Sequence, residues 1–139
     1  MAVPVIAFGR SFPTNFEDGL NRPVPASPDQ ITLAEFGIFT TETADVTVMA
    51  TIGWESILGL PEVVFTVLRD GATIGTARAG TLAVNEQEVT TFQLLDIALP
   101  AAFHSYTLLA EVTNGLLNNA TVTGPVSFTA VALQNAAPL

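Results

Sequence analysis

Val63-Val64-Phe65-Thr66-Val67-Leu68-Arg69-Asp70-Gly71-Ala72-Thr73-Ile74-Gly75-Thr76-Ala77-Arg78-Ala79 reads as two β-rich arms joined by a two-residue turn. Asp70 and Gly71 suit a type I′ turn, because both residue types tolerate positive φ and the twist of that turn matches the twist of the strands it joins. With a two-residue loop, Val67 is expected opposite Ile74 and Phe65 opposite Thr76. Such a hairpin commits this part of the chain to antiparallel sheet, and no stretch on either side has helical periodicity of useful length.

Working outward, Asp45 to Trp54 alternates, with Val46, Val48, Ala50, Ile52 and Trp54 on one face and Thr47, Met49 and Thr51 on the other. The first face is expected to be core. Further strands are expected near Ile31 to Thr40, Val89 to Leu99, His104 to Thr113 and Ala120 to Leu133, with Gly124-Pro125 marking a bulge or a bend where the last strand changes sheet. Ile57 to Leu60, followed by Pro61, is expected to be a turn or crossing at one end. Short strands at close intervals with turn residues between them predict an all-β fold, an antiparallel β-sandwich of the jelly-roll kind. Its core should enclose Trp54, Phe65, Phe92, Tyr106 and Phe128.

The first thirty residues differ from the rest. Pro4, Pro13, Pro23, Pro25 and Pro28 are five of the nine prolines, and proline fixes φ and removes a backbone donor. Residues 1–30 are therefore expected to form an extended N-terminal arm, mostly without regular structure, and residues 31–139 the sandwich domain. Within the arm, Val3 to Phe8 has the makings of a short strand that needs a partner edge.

Composition limits the function. A chain of 139 residues suits one domain, and 49% hydrophobic against 12% charged residues places it far from disorder. No apolar run approaches the roughly 20 residues of a membrane helix, so no membrane partner is expected. Thirteen carboxylates against four arginines leave a net charge of -9, which repels a phosphate backbone and argues against nucleic acid. The same acidity keeps a Val/Thr-rich β protein from associating indiscriminately through its strand edges. Without cysteine there are no disulfides, thiolate metal sites or cysteine nucleophiles. The opening Met1 to Phe8 lacks a basic leader region and meets Gly9-Arg10 early, so no secretion signal is expected.

Few residues are left for chemistry. His104, the single histidine, shares the parity of Tyr106, Leu108, Ala110 and Val112, which suits a hydrogen-bonded histidine at a sheet end. Ser105 points to the opposite face, so no Ser-His couple is indicated and the chain is not expected to be an enzyme. Glu17-Asp18 and Glu86/Glu88 lack the spacing of a calcium loop, and neither a metal nor another cofactor is expected. Asn119-Ala120-Thr121 fits a glycosylation acceptor only by a three-residue pattern. Arg69 and Arg78 flank the hairpin turn and are candidates to pair with Asp70, with Glu62 or with a neighbouring chain.

The stretches Ala50 to Glu55, Leu68 to Gly71 with Ile74 to Thr76, Thr90 to Gln93 with Asp96, His104 to Leu108, Glu111 to Asn114 and Thr123 to Ala130 resemble small β domains of bacterial endospore surfaces. These include jelly-roll exosporium proteins, spore appendages and the tips of collagen-like spore filaments, similar in architecture to the tumour-necrosis-factor and C1q fold. The resemblance spans about residues 45 to 133 and lies in turns and core positions. The chain departs from the collagen-tipped members in having no Gly-X-Y repeat, and from cross-linked appendage subunits in having no cysteine. The resemblance implies a structural subunit that assembles non-covalently with itself, and with other spore-surface proteins, into a layer or filament. The arm would bridge to a neighbour by strand addition, which makes Val3, Val5, Ile6 and Phe8 candidate subunit contacts, or it would pair within its own chain and complete a sheet of the sandwich; the scarcity of arginine adds Arg69 and Arg78 to the candidate contacts. The implied location is the spore surface or the extracellular space, reached without a signal peptide, with the cytoplasm as the alternative. The rival reading is a trimeric C1q-like recognition domain that meets a carbohydrate or protein ligand through its loops.

Overall fold

The computed structural model describes residues 3–135. Among the described residues nine strands follow one another: β1 (Val5–Arg10), β2 (Arg22–Pro23), β3 (Ile31–Phe39), β4 (Ala44–Leu58), β5 (Glu62–Arg69), β6 (Ala72–Gly80), β7 (Gln87–Leu99), β8 (Phe103–Val112) and β9 (Asn119–Gln134). They form two antiparallel sheets, a five-stranded one in the order β1-β9-β4-β7 with β2 also on β9, and a four-stranded one in the order β3-β8-β5-β6. The fold is an all-β sandwich.

Alternation decides which side chains lie between the sheets. The β4 row Val46, Val48, Ala50, Ile52 and Trp54 is buried, as are Val63, Phe65 and Val67 of β5 and the β8 row from Tyr106 to Val112. Phe36 of β3 leans on Tyr106 and Phe128, with ring centroids 5.6 and 5.0 Å away, and joins the two sheets. Four of the five aromatics expected in the core are enclosed, but Phe92 is only half-buried. It lies on β7, the outermost strand of its sheet, so packing reaches it from one side.

The hairpin turn forms as expected, with φ of 50° at Asp70 and 84° at Gly71. Its register departs by one residue. A β-bulge sets Val67 opposite Gly75 and Phe65 opposite Ala77, where a regular ladder would have placed Ile74 and Thr76. The slip puts Gly75 under β7, where a Cβ would lie 2.7 Å from Leu94 Cδ2, so the bulge delivers the one residue small enough for that approach. At Gly71 nothing crowds the Cβ position, and the constraint is φ alone. Gly71→Val is accordingly expected to destabilise by about 1 kcal/mol or more through a β-branched residue at positive φ. An unchanged midpoint in a denaturant titration would count against the turn.

Gly124-Pro125 does produce a bulge, with positive φ at Gly124 and a register shift against β4, but β9 stays in one sheet on both sides of it. The strand is not diverted because Gly53 of β4 lets the Gly124 backbone press in, where a Cβ would lie 2.1 Å from Gly124 O.

The expected N-terminal arm, mostly without regular structure, is not what is found: the described part of the proline-rich segment is paired within its own chain, because β9 offers it an edge. β1 runs along residues 129–133, Ser11 N–H donates to Phe128 O at 2.9 Å, Thr14 bridges Val126, and β2 pairs with residues 121–122. Residues 5–24 thus cover almost the whole length of β9. The chain then crosses to the other sheet, where Val112 N–H donates to Pro25 O and Ser27 N–H to Val112 O. Pro4 and Pro13 flank β1, Pro23 ends the two-residue β2 on the sheet edge, and Pro25 and Pro28 sit at the crossing.

Candidate functional site

Two strands end the five-stranded sheet, and both present apolar side chains to solvent. A bulge between Val5 and Ala7 packs Ile6 and Ala7 against the core and leaves Val5 and Phe8 on the outer surface, Phe8 58% exposed. Val3 is exposed just before them. At the opposite edge, β7 exposes Val89, Leu95 and Ile97, Leu95 to 65%. Of these, Val3, Val5 and Phe8 are legible as contact candidates in the sequence; Ile6, expected beside them, packs instead against the core of its own chain because the bulge turns it inward. The β7 residues are not legible as candidates, although Leu94-Leu95 followed by Ile97 places apolar residues on both faces of one strand, which is a signal in itself.

Arg69 and Arg78 lie at opposite ends of the sandwich. Arg78 pairs with Glu62 at 2.6 Å, and Glu62 also accepts the Thr113 hydroxyl at 2.6 Å. Arg78 and Glu62 line a shallow groove of about 420 Å³ with Leu60, Thr81 and Asn114. Arg69 instead reaches across to the other sheet, where its Nη1 donates to Asp96 Oδ1, while the Tyr106 hydroxyl donates to Asp96 Oδ2 at 2.7 Å. Asp96 and Tyr106 are both buried. Burial first, then the bond to Asp96, pushes the Tyr106 phenol above its usual range, and the same carboxylate raises Arg69. The triad joins β5 and β8 to β7 and acts as a polar bolt between the sheets.

His104 sits beside this bolt. Its Nδ1 is 2.6 Å from Asp70 Oδ2 and its Nε2 is 2.8 Å from Pro100 O. Asp70 Oδ1 accepts the Ser105 N–H at 2.9 Å. A carbonyl oxygen only accepts, so Nε2 carries a proton, and a carboxylate on Nδ1 favours a second. An imidazole held at both nitrogens serves as a strut between the hairpin turn and the end of β7, with neither nitrogen free to take a proton from a nucleophile.

Burial works against charge on His104, but the Asp70 bond and the Pro100 carbonyl outweigh it and raise its pKa above 6.5. Burial likewise works against ionised Asp70, and the bonds from His104 and Ser105 outweigh it and hold its pKa below 3.8. The signs give a window. The His104 contribution is complete below 6.5 and is lost as pH rises through the raised value; the Asp70 contribution is complete above 3.8 and is lost as pH falls through the lowered value. The part of the melting temperature owed to the His104–Asp70 pair is expected to be flat between those limits and to fall on the alkaline side, and His104→Gln should remove that alkaline slope. An identical slope in the variant would place its origin elsewhere.

Glu86 accepts the N–H groups of Leu82 and Ala83 at 2.8 and 2.9 Å, and these bonds hold its carboxyl low, while its nearness raises Glu88. The pair orders the β6–β7 loop. Among the described residues no group of three or more His, Cys, Asp or Glu side chains is gathered so as to hold a metal ion.

No protein-family model matches the chain, and no curated protein does. Solved structures do. A chain of infectious bursal disease virus, Gx strain, is similar with a TM-score of 0.53 and 13% identity over 94% of this chain and 32% of that one. The likeness is one of fold. A carbohydrate-binding module, CBM36, in complex with calcium and xylotriose, aligns with a TM-score of 0.46 and 13% identity over 94% of this chain and 92% of that one. The chain spans about a third of the length of the viral protein it matches.

Proposed function

We propose that the protein is a structural subunit that assembles with copies of itself through the edges of its five-stranded sheet, without covalent cross-links. The observation that carries this reading is the pairing of open backbone edges with exposed apolar side chains, Val5 and Phe8 on β1 and Leu95 and Ile97 on β7. A free edge offers unpaired N–H and C=O groups, and apolar neighbours make its pairing with another strand favourable. β1 lies on β9 through one side only, so strand addition to a neighbour uses its other side and leaves the fold intact. The spore surface is the setting suggested by the sequence resemblance, and that part of the proposal rests on the resemblance alone. Negative-stain images of the purified chain are expected to show fibres or sheets that lengthen with concentration. Uniform single particles at every concentration would refute assembly.

A second reading, the trimeric recognition domain, has one feature in its favour. The loops after β4, β6 and β8 meet at one end, tied by Asn118 Oδ1 accepting Leu60 N–H at 2.8 Å, Asn114 Oδ1 accepting Glu62 N–H at 2.7 Å and Ser56 Oγ donating to Ala83 O at 3.0 Å. They expose Leu82, Leu116 and Leu117. A closed particle of three copies that leaves these leucines free would support this reading over the first.

A further inference from the structure

We infer that the acceptor for β1 of one copy is the β7 edge of the next, so that the five-stranded sheet continues from subunit to subunit in a head-to-tail, open array. This rests on the reading of the chain as a self-assembling subunit and specifies which edges meet.

The strand registers bring the two edges into line. Followed across the sheet, Phe8 pairs with Val131, Val131 with Thr47, and Thr47 with Leu95. The exposed apolar residue of one edge therefore stands at the same height as that of the other. A second row runs from Arg10 through Thr129 and Met49 to Gln93, and a third from Arg22 through Val122 and Trp54 to Glu88. A copy displaced sideways, without change of height, would bring Phe8 beside Leu95, Arg10 beside Gln93 and Arg22 beside Glu88.

Strand direction agrees. β1 is antiparallel to β9, β9 to β4 and β4 to β7, so a neighbour in the same orientation meets β7 with an antiparallel β1. The same displacement brings the neighbour's β3 antiparallel to β6, the two ends of the other sheet. No proline falls within β1 or β7.

Charge selects this contact as well. Copies carrying -9 repel unless a cation is brought to a carboxylate or another acceptor. Arg69 and Arg78 are spent on Asp96 and Glu62, and Arg22 donates to the Thr32 and Leu33 carbonyls. Among the described residues Arg10 alone of the arginines has no ion pair or side-chain hydrogen bond, and it stands on the β1 edge. The two edges differ from one another, so the contact is heterologous, and a heterologous contact that does not close generates a filament.

The absence of cysteine makes the test clean. Phe8 and Leu95 lie three strand spacings apart within one chain, about 14 Å, too far for an intrachain disulfide. The full chain carrying both Phe8→Cys and Leu95→Cys is expected to give a ladder of covalent multimers on mild oxidation, and each single variant should give none. Efficient dimers from Phe8→Cys alone would mean that β1 meets β1 about a two-fold axis and would overturn the inference. Assembly of the double variant without cross-linking would overturn it too, while leaving self-assembly standing. A chain that stays monomeric before oxidation would remove the assembly reading itself. As an independent check, Leu95→Lys places a charge on an exposed edge position, and assembly should be lost with the melting temperature unchanged.

Discussion

Trp54→Ala is expected to lower the unfolding free energy by about 3–5 kcal/mol, the range for removing a large aromatic from a closed core. Trp54 is 1% exposed, at the point where β4 pairs with β7 on one side and β9 on the other. Its Nε1–H donates to Thr90 Oγ1 at 3.0 Å, so truncation also leaves that hydroxyl without its partner. Strands on both sides hold the neighbouring side chains in place, which limits collapse into the cavity and places the cost in the upper part of the range. Urea titration of wild type and variant at equal m-value measures the difference. A loss below about 1 kcal/mol would mean that the indole site is filled by rearrangement. A native emission spectrum typical of indole in water would place Trp54 outside the core altogether.

Asp96→Ala is expected to cost about 3 kcal/mol, because removing one partner of a buried polar cluster strands the others. The Tyr106 hydroxyl would be left in the core without an acceptor, and Arg69 would lose the carboxylate that anchors it across the sandwich. Arg69 keeps partial contact with water, its side chain being 29% exposed, which puts the effect at the low end of the range for such pairs. Tyr106→Phe alone should cost less, and combining it with Asp96→Ala should cost less than the sum, since the second change removes a group already stranded. Additive losses in that cycle would mean that the hydroxyl and the carboxylate do not act together.

Much of the fold was legible because local chemistry and tertiary packing ask for the same thing at the same residues. The alternation of Val46 to Trp54 is satisfied by a strand buried on one face, and Asp70-Gly71 by a turn that needs positive φ at both positions. What escaped reading depends on contacts between distant strands. The bulge at Ile74 exists because Gly75 must lie under Leu94, and nothing within the hairpin records that demand. Phe92 alternates like a core residue but lies on an edge strand, and strand order is not written in alternation. Arg69 had visible partners nearby in Asp70, yet its short contact is to Asp96 on the other sheet, a residue that reads as an ordinary polar interruption of a strand. His104 was legible as a hydrogen-bonded residue at a sheet end from its parity alone, while its two acceptors, Asp70 and Pro100, emerge only when the turn and the β7–β8 connection come together. The contact candidates divide in the same way: Val5 and Phe8 stand out in a proline-bounded apolar run, whereas Leu95 becomes a candidate only once β7 is known to end a sheet.

Sedimentation velocity of the unmodified full chain over a broad range of concentration addresses self-assembly most directly. The weight-average sedimentation coefficient should climb steadily with concentration and reach no plateau, as for an open array in which every added copy presents a fresh β7 edge. A single boundary at the monomer mass throughout, or a plateau at a fixed small number of copies, would be incompatible with a sheet that continues from one subunit to the next.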